Sequence, residues 1–263
     1  MVEKLEKLRE HFLSLGEVVV AYSGGVDSTF LLWCAHEVLG RRAQGVLLDV
    51  AFLPRHKKRE ALNLARNLGL AVEVVPFDVF LEEDIVANGP RRCYFCKKSL
   101  FSRLKDEAEG MPLVDGTNLS DLGEDRPGIR ALEELGILSP LVEVGLTKEE
   151  IRALSRDLGL PTWNRPSFSC LATRIPQGMR ITPSLLERIE HLERFLEGLG
   201  FSGFRVRHHG NIARLELEER DFLRAIAFQV REKIVAEFRA WGYDFVTLDL
   251  SGYQRGSTQY SHV

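Results

Sequence analysis

Val18-Val19-Val20-Ala21-Tyr22-Ser23-Gly24-Gly25-Val26-Asp27-Ser28 is the stretch whose reading decides the fold. The apolar run 18–22 predicts a strand buried on both faces. The residues after the glycines, Thr29-Phe30-Leu31-Leu32-Trp33 onward to Leu39, predict a helix stopped by Gly40. Strand, glycine turn and helix aim backbone N–H groups and a helix N-terminus at an anion. Gly24 and Gly25 permit close backbone approach, and Ser23 and Ser28 add hydroxyl donors. Asp27 repels a bare phosphate, so it fits through a metal ion or another positive group. No lysine follows the glycines, so this is not the loop G-x-x-x-x-G-K-[ST]. An ordinary strand-to-helix turn needs only one glycine and a capping serine.

Working outward, residues 2–15 carry Leu5, Leu8, Phe12 and Leu15 at helical spacing. Gly45–Asp49 and Ala71–Val75 predict further strands, with a helix over 54–68 opened by Pro54 and closed by Gly69. Pro112–Asp115 predicts a fourth strand, and Thr147-Lys148-Glu149-Glu150 is a capping box for a helix ending near Gly159. Strands alternating with helices imply an α/β fold with a doubly wound parallel sheet. Between Pro161 and Pro183 four prolines interrupt the pattern, which divides the chain into 1–165 and 166–263. The second part predicts a smaller α+β domain: a helix over 185–199, strands at 204–207 and 213–218, a helix from about 221 to 240 and a last strand at 245–248. Gly198-Leu199-Gly200-Phe201-Ser202-Gly203 matches G-x-G-x-x-G but follows a helix and precedes a strand, the wrong order for a dinucleotide fingerprint.

The chain has 263 residues, 44% hydrophobic and 28% charged, and 35 basic against 38 acidic side chains give −3. That balance demands neither a nucleic-acid nor a membrane partner. No apolar run reaches the roughly 20 residues of a membrane span. Met1-Val2-Glu3-Lys4-Leu5 lacks a signal peptide's apolar core, so a cytoplasmic protein is expected. Four cysteines there point to thiols or metal ligands before disulfides.

Cys93-Tyr94-Phe95-Cys96 lies among Arg91, Arg92, Lys97 and Lys98, cations that favour thiolates. Cys170 is a third candidate ligand. Three cysteines leave one corner of a zinc site, or one iron of a four-iron cluster, open to an outside ligand. A redox dithiol and a pair of plain surface thiols are the other two readings. Cys34, among Leu31, Leu32 and Val38, reads as core.

The motifs Ala21–Ser28, Cys93–Lys97, Asp115-Gly116-Thr117-Asn118, Cys170-Leu171-Ala172-Thr173-Arg174-Ile175-Pro176 and Phe204–Gly210 together resemble the LarE family. These are PP-loop (pyrophosphate-loop) ATPase-superfamily enzymes that insert sulfur during synthesis of the nickel-pincer nucleotide cofactor of lactate racemase. The resemblance runs nearly the whole chain, to Leu248-Asp249-Leu250-Ser251-Gly252-Tyr253. It implies a PP-loop adenylating domain with a C-terminal substrate-binding and oligomerisation domain. ATP and Mg2+ would activate a carboxylate of pyridinium-3,5-biscarboxylic acid mononucleotide, and sulfur would displace AMP. Cys93, Cys96 and Cys170 match the three-cysteine type, which holds a 4Fe-4S cluster resupplied by a sulfide donor. Ser23, Gly24, Gly25, Asp27, Ser28, Thr117 and Asn118 are then expected at ATP, with Asp27 and Cys170 catalytic. Glu124, Arg130, Arg174, Arg205 and Arg207 are expected at the substrate; Arg205 and Arg207 share one strand face, suited to a phosphate or a second carboxylate. A solvated strand face and, for Arg174, a surface salt bridge are the plain alternatives. His208-His209 reads as phosphate-adjacent or structural. A homo-oligomer is expected.

Three rivals share parts of this pattern. A tRNA thiolase has the same loop, but this chain has no zinc-ribbon cysteine pairs and no basic excess for a polyanion. An amidating ligase of the NAD-synthetase kind would leave the cysteines incidental. A non-catalytic nucleotide-binding protein would use them for structural zinc.

Overall fold

The computed structural model describes residues 1–122, 127–166 and 168–254. Contacts divide the chain into two units, Met1–Ile85 with Pro90–Phe168, and Val86–Gly89 with the chain from Ser169 on. In chain order the elements are α1 (Val2–Leu15), β1 (Val18–Ala21), α2 (Val26–Leu39), β2 (Ala43–Asp49), α3 (Arg55–Asn67), β3 (Val72–Pro76), α4 (Glu83–Val86), α5 (Arg92–Glu107), β4 (Leu113–Val114), α6 (Pro127–Leu135), α7 (Pro140–Glu143) and α8 (Lys148–Asp157). They continue with α9 (Pro183–Gly198), β5 (Arg205–His209), β6 (Ile212–Glu216), α10 (Phe222–Ile226), α11 (Phe228–Ala240) and β7 (Phe245–Leu248). Among the described residues no helix is long and apolar enough to cross a membrane.

The first unit is built on a parallel sheet of order β3-β2-β1-β4. Side chains of β1 alternate between two cores. Val18 and Val20 join Leu8, Phe12, Phe30 and Leu31 on one face, while Val19 joins Phe101, Leu104 and Leu132 on the other. Burial on both faces is why the strand reads as an unbroken apolar run. The chain moves from β1 outward to β2 and β3, then returns to place β4 on the other side of β1. The switch point therefore lies between β1 and β4, and ligands of doubly wound sheets bind beyond the strand ends there.

The helix after the glycine turn begins at Val26, three residues earlier than its apolar run suggests, with Gly25 as N-cap. Asp27 and Ser28 therefore sit inside its first turn. Thr147 caps α8 in the expected capping box, its hydroxyl accepting from the Glu150 N–H while Glu150 accepts from the Thr147 N–H.

The second unit carries the sheet β5-β6-β7, with β5 antiparallel and β7 parallel to β6. Leu192, Leu196, Val206, Leu215, Phe238 and Tyr243 form its core. Asn88 is tied into this unit: its side chain donates to the carbonyls of Pro176 (2.8 Å) and Met179 (3.0 Å). Where the sequence suggests one helix over 221–240, the backbone opens at Ala227 (ψ 134°) and divides it into α10 and α11. Gly200 and Gly203 have positive φ and mark a helix stop and a loop, so G-x-G-x-x-G is indeed a decoy.

Candidate adenylation and sulfur-transfer sites

The glycine turn closes on itself through its serines. The two hydroxyls of Ser23 and Ser28 are 3.0 Å apart, and the Ser28 hydroxyl also accepts from the Ser23 N–H at 3.2 Å. Gly24 has φ +73°, and a Cβ there would fall 2.4 Å from the Ala61 Cβ. Both the conformation and the contact with α3 thus require glycine. The Tyr22 hydroxyl donates to the Ala61 carbonyl at 3.0 Å, which fixes the strand end against the same helix.

Asp27 meets the positive group that its position asks for. One carboxylate oxygen is paired with Lys148, the first residue of α8. The other, Oδ1, is buried with no hydrogen-bond partner among the described residues. Burial pushes the Asp27 carboxyl above the usual carboxylate range, and Lys148 opposes that rise. A buried carboxylate oxygen without a donor, beside a helix N-terminus, is suited to a cation accompanying phosphate.

Beyond β4, Asp115 is buried and accepts from the hydroxyls of Thr117 (2.5 Å) and Ser139 (2.7 Å). The next residue, Gly116, packs onto the glycine turn: a Cβ there would lie 3.1 Å from the Ser28 nitrogen and 3.2 Å from the Asp27 Cβ. Asn118 caps the following 3-10 turn, accepting from the Ser120 N–H at 3.0 Å. Thr117 and Asn118 thus build the loop that faces the glycine turn. Arg130 is exposed and paired with Glu134 on its own helix, and Glu124 lies outside the described residues.

Cys93 and Cys96 occupy the first turns of α5, three residues apart and so on one helix face. Cys93 is exposed and 3.7 Å from an Arg92 nitrogen; Cys96 is half-buried. The next residue, Lys97, places its amine 3.6 Å from the Asp115 carboxylate. The cysteine helix is thereby docked on the loop that packs against Asp27 and Ser28. Cys34 is buried, and burial pushes its thiol up, as a core residue's should be.

In the second unit Cys170 is half-buried and caps the 3-10 turn Leu171–Arg174. Arg205 and Arg207 do share a strand face, and both are buried rather than solvated. Arg207 is held bidentate by Glu216 at 2.9 and 3.2 Å, and the Arg205 guanidinium lies 5.0 Å over the Tyr253 ring. Burial, then the neighbouring Arg207, lowers the pKa of Arg205. Arg174 is also buried and is paired with Glu193, a core ion pair in place of a surface one. His208 is buried against the Tyr243 hydroxyl at 2.8 Å, a structural role.

Comparison with known proteins places the chain in a family. A family model described as NAD synthase matches residues 4–89, the part that carries the glycine turn. An uncharacterized protein of Synechocystis sp. is 38% identical over 96% of both chains. The pyridinium-3,5-bisthiocarboxylic acid mononucleotide synthase of Lactiplantibacillus plantarum is 34% identical over 92% of this chain and 88% of its own length. This chain belongs to the pyridinium-3,5-bisthiocarboxylic acid mononucleotide synthase family. An uncharacterized protein of Methanocaldococcus jannaschii is 32% identical over 97% of each chain.

Two cations of this synthase-family chain escape a reading of its motifs. Lys148 looks like an ordinary residue inside a capping box, and only the packing of α8 shows that it reaches Asp27. Burial raises the pKa of the Tyr22 phenol, and Thr29 and then the charge of Arg165 oppose that rise. Arg152 holds the Arg165 turn by donating to the carbonyls of Trp163 (2.6 Å) and Arg165 (2.7 Å). Cys93, Cys96 and Cys170 are thiols, the ligand type an iron–sulfur cluster takes, and none of the three is fully buried. Cys93 and Cys96 belong to the first unit and Cys170 to the second. Within either unit, among the described residues, no three His, Cys, Asp or Glu side chains gather to hold a metal.

Proposed function

We propose that this chain is an ATP-dependent sulfur transferase that converts carboxylates of pyridinium-3,5-biscarboxylic acid mononucleotide into thiocarboxylates. The observation that carries the proposal is the docking of α5: Lys97, next to Cys96, reaches Asp115, whose neighbour Gly116 packs on Asp27 and Ser28. A helix bearing two thiols therefore stands beside a turn built for phosphate.

A carboxylate is a poor electrophile, and activation replaces its charged oxygen with a leaving group. The substrate carboxylate oxygen attacks the α-phosphorus of ATP, the bond to the β-phosphate bridging oxygen breaks, and pyrophosphate leaves. The N–H groups at the start of α2, with the Ser23 and Ser28 hydroxyls, receive the charge that builds on pyrophosphate. Asp27 Oδ1 would hold Mg2+, while Lys148 passes from Asp27 to the phosphates and keeps the site near neutrality. Sulfide then adds to the acyl carbon and the bond to AMP breaks, giving thiocarboxylate, AMP and a proton. When bound by Cys93, Cys96 and Cys170, a 4Fe-4S cluster would supply that sulfide from the iron no cysteine occupies, to be refilled by a sulfide donor. Arg205 is assigned to the substrate phosphate, its guanidinium lying over the Tyr253 ring.

The test is pyrophosphate release by protein kept from oxygen, with Mg-ATP and each candidate acceptor. Release that requires the pyridinium biscarboxylate, with a thiocarboxylate in the product, is expected. Release driven equally by ammonia or tRNA, or by no acceptor, overturns the assignment.

A further inference from the structure

The turn that carries Cys170 is held by an unusual number of bonds from one side chain. Arg174 Nη1 donates to the carbonyl of Ser169 at 2.8 Å and to that of Cys170 at 3.2 Å. It also reaches the Ser169 hydroxyl at 2.7 Å and the Thr173 hydroxyl at 3.0 Å. The Thr173 hydroxyl donates in turn to the Cys170 carbonyl at 2.8 Å. The other two nitrogens of Arg174, Nε and Nη2, are taken by the two oxygens of Glu193 at 2.9 and 3.2 Å. Glu193 Oε1 is itself pinned by the Val206 N–H of β5 at 3.1 Å. Next to it Arg207 donates to the Thr173 carbonyl at 2.5 Å. Leu171 and Ala172 anchor the same turn in the core, while the Cys170 side chain is only half-buried.

A buried arginine–glutamate pair is a poor way to gain stability, because two charges leave water for one another and an apolar pair packs as well. Its particular property is a planar fork that fixes several acceptors at once. Both peptide carbonyls flanking the Cys170 Cα–Cβ bond are among those acceptors.

We propose that Arg174, which the family resemblance places at the substrate, is instead a positioning residue: oriented by Glu193, it aims the Cys170 thiol and serves sulfur transfer through Cys170. This rests on the sulfur-transfer function proposed above. It predicts separable effects on the two half-reactions: activation needs only the glycine turn and its cations, whereas transfer needs the thiol in place.

The experiment compares wild type with Arg174→Lys and Glu193→Gln in anaerobic protein, reading KM for the pyridinium mononucleotide, pyrophosphate release and thiocarboxylate formed per pyrophosphate. Both variants are expected to keep KM and pyrophosphate release within about twofold while thiocarboxylate per pyrophosphate falls at least tenfold, since one amine cannot span both carbonyls and the carboxylate. A KM raised tenfold with the product ratio unchanged would show that Arg174 binds substrate and would overturn the proposal, as would three unchanged quantities. A second readout needs no turnover: alkylation of Cys170 by iodoacetamide in chelator-treated protein, followed by peptide mass. Arg174→Lys keeps the charge but loosens the turn, so alkylation should quicken at least threefold; an unchanged rate overturns the proposal. If either variant melts far below wild type, Glu193→Asp keeps the charge opposite Arg174 but withdraws the carboxylate that orients it. It should lower the product ratio with KM unchanged, and an unaltered ratio rejects the proposal. Wild type that quickens as described on Arg174→Lys yet releases no pyrophosphate with the pyridinium substrate would retain the positioning role and reject the reaction.

Discussion

Asp27 weighs against the fold yet suits the proposed chemistry. Its burial raises its pKa, which means that the folded chain binds that proton more tightly than the unfolded chain does. The stabilisation this gives is complete below the ordinary carboxylate pKa and is lost as pH rises through the elevated one, so at neutral pH the ionised carboxylate weighs against folding. Asp27→Asn should therefore raise the melting temperature of ligand-free protein at pH 7, with little gain at pH 3, while abolishing substrate-dependent pyrophosphate release. Calorimetry at the two pH values checks the first half and a pyrophosphate assay the second; a lowered melting temperature at pH 7 would mean that the Lys148 pair outweighs burial. The presence of Asp27 in the loop was legible from the motif, because strand, glycines and serines are local in sequence. Its partner was not, since Lys148 is 121 positions away and nothing in a capping box announces where its side chain will go.

At the scale of elements, what could be read was what each segment settles for itself. Apolar runs gave β1 and β2, and the box Thr147–Glu150 gave the start of α8, because both depend on neighbours within a few residues. The helix α5 was not foreseen: its cysteines and flanking cations drew a chemical reading, and few of its residues are buried, Phe101 and Leu104 among them. The break at Ala227 had no signal either, since neither glycine nor proline stands there. The strand β5 carries a test of its own. Burial, with Arg188 and His209 adding to it, depresses His208 from 6.5 to about 4. A histidine with a lowered folded pKa contributes stability above its unfolded pKa that disappears as pH falls through the folded one. Melting of the protein should therefore fall steeply between about pH 6.5 and about 4. His208→Gln, which keeps a polar partner for the Tyr243 hydroxyl, should flatten that dependence while lowering the neutral-pH melting temperature by several degrees, the effect of about 1 kcal/mol in a domain of this size. An equally steep acid slope in the variant would place the proton uptake elsewhere.

Over the whole molecule the assignment turns on whether three thiols act as one centre. Cys93 and Cys96 lie on α5 in the unit that carries the glycine turn, and Cys170 lies in the unit that carries Arg205 and Arg207. If they hold a single cluster, removing any one of them must unsettle the metal bound by the other two, because two thiolates leave too few protein ligands for a four-iron core. Anaerobic wild type should then contain about four irons per chain with acid-labile sulfide, and Cys93→Ala, Cys96→Ala and Cys170→Ala should each lose most of both. Cys34→Ala, in the core and with its thiol pushed far from ionisation, should keep the iron. Pyrophosphate release should survive in all four, since the loop and its cations are untouched. The opposite pattern is equally readable. Iron lost on removing Cys93 or Cys96 but kept without Cys170 would confine the metal to α5, and one zinc per chain without labile sulfide would make the pair structural. In either case Cys170 would act outside any shared cluster; donation of its own sulfur would break its Cβ–Sγ bond with loss of the α-proton, leave dehydroalanine and stop turnover after one thiocarboxylate per chain.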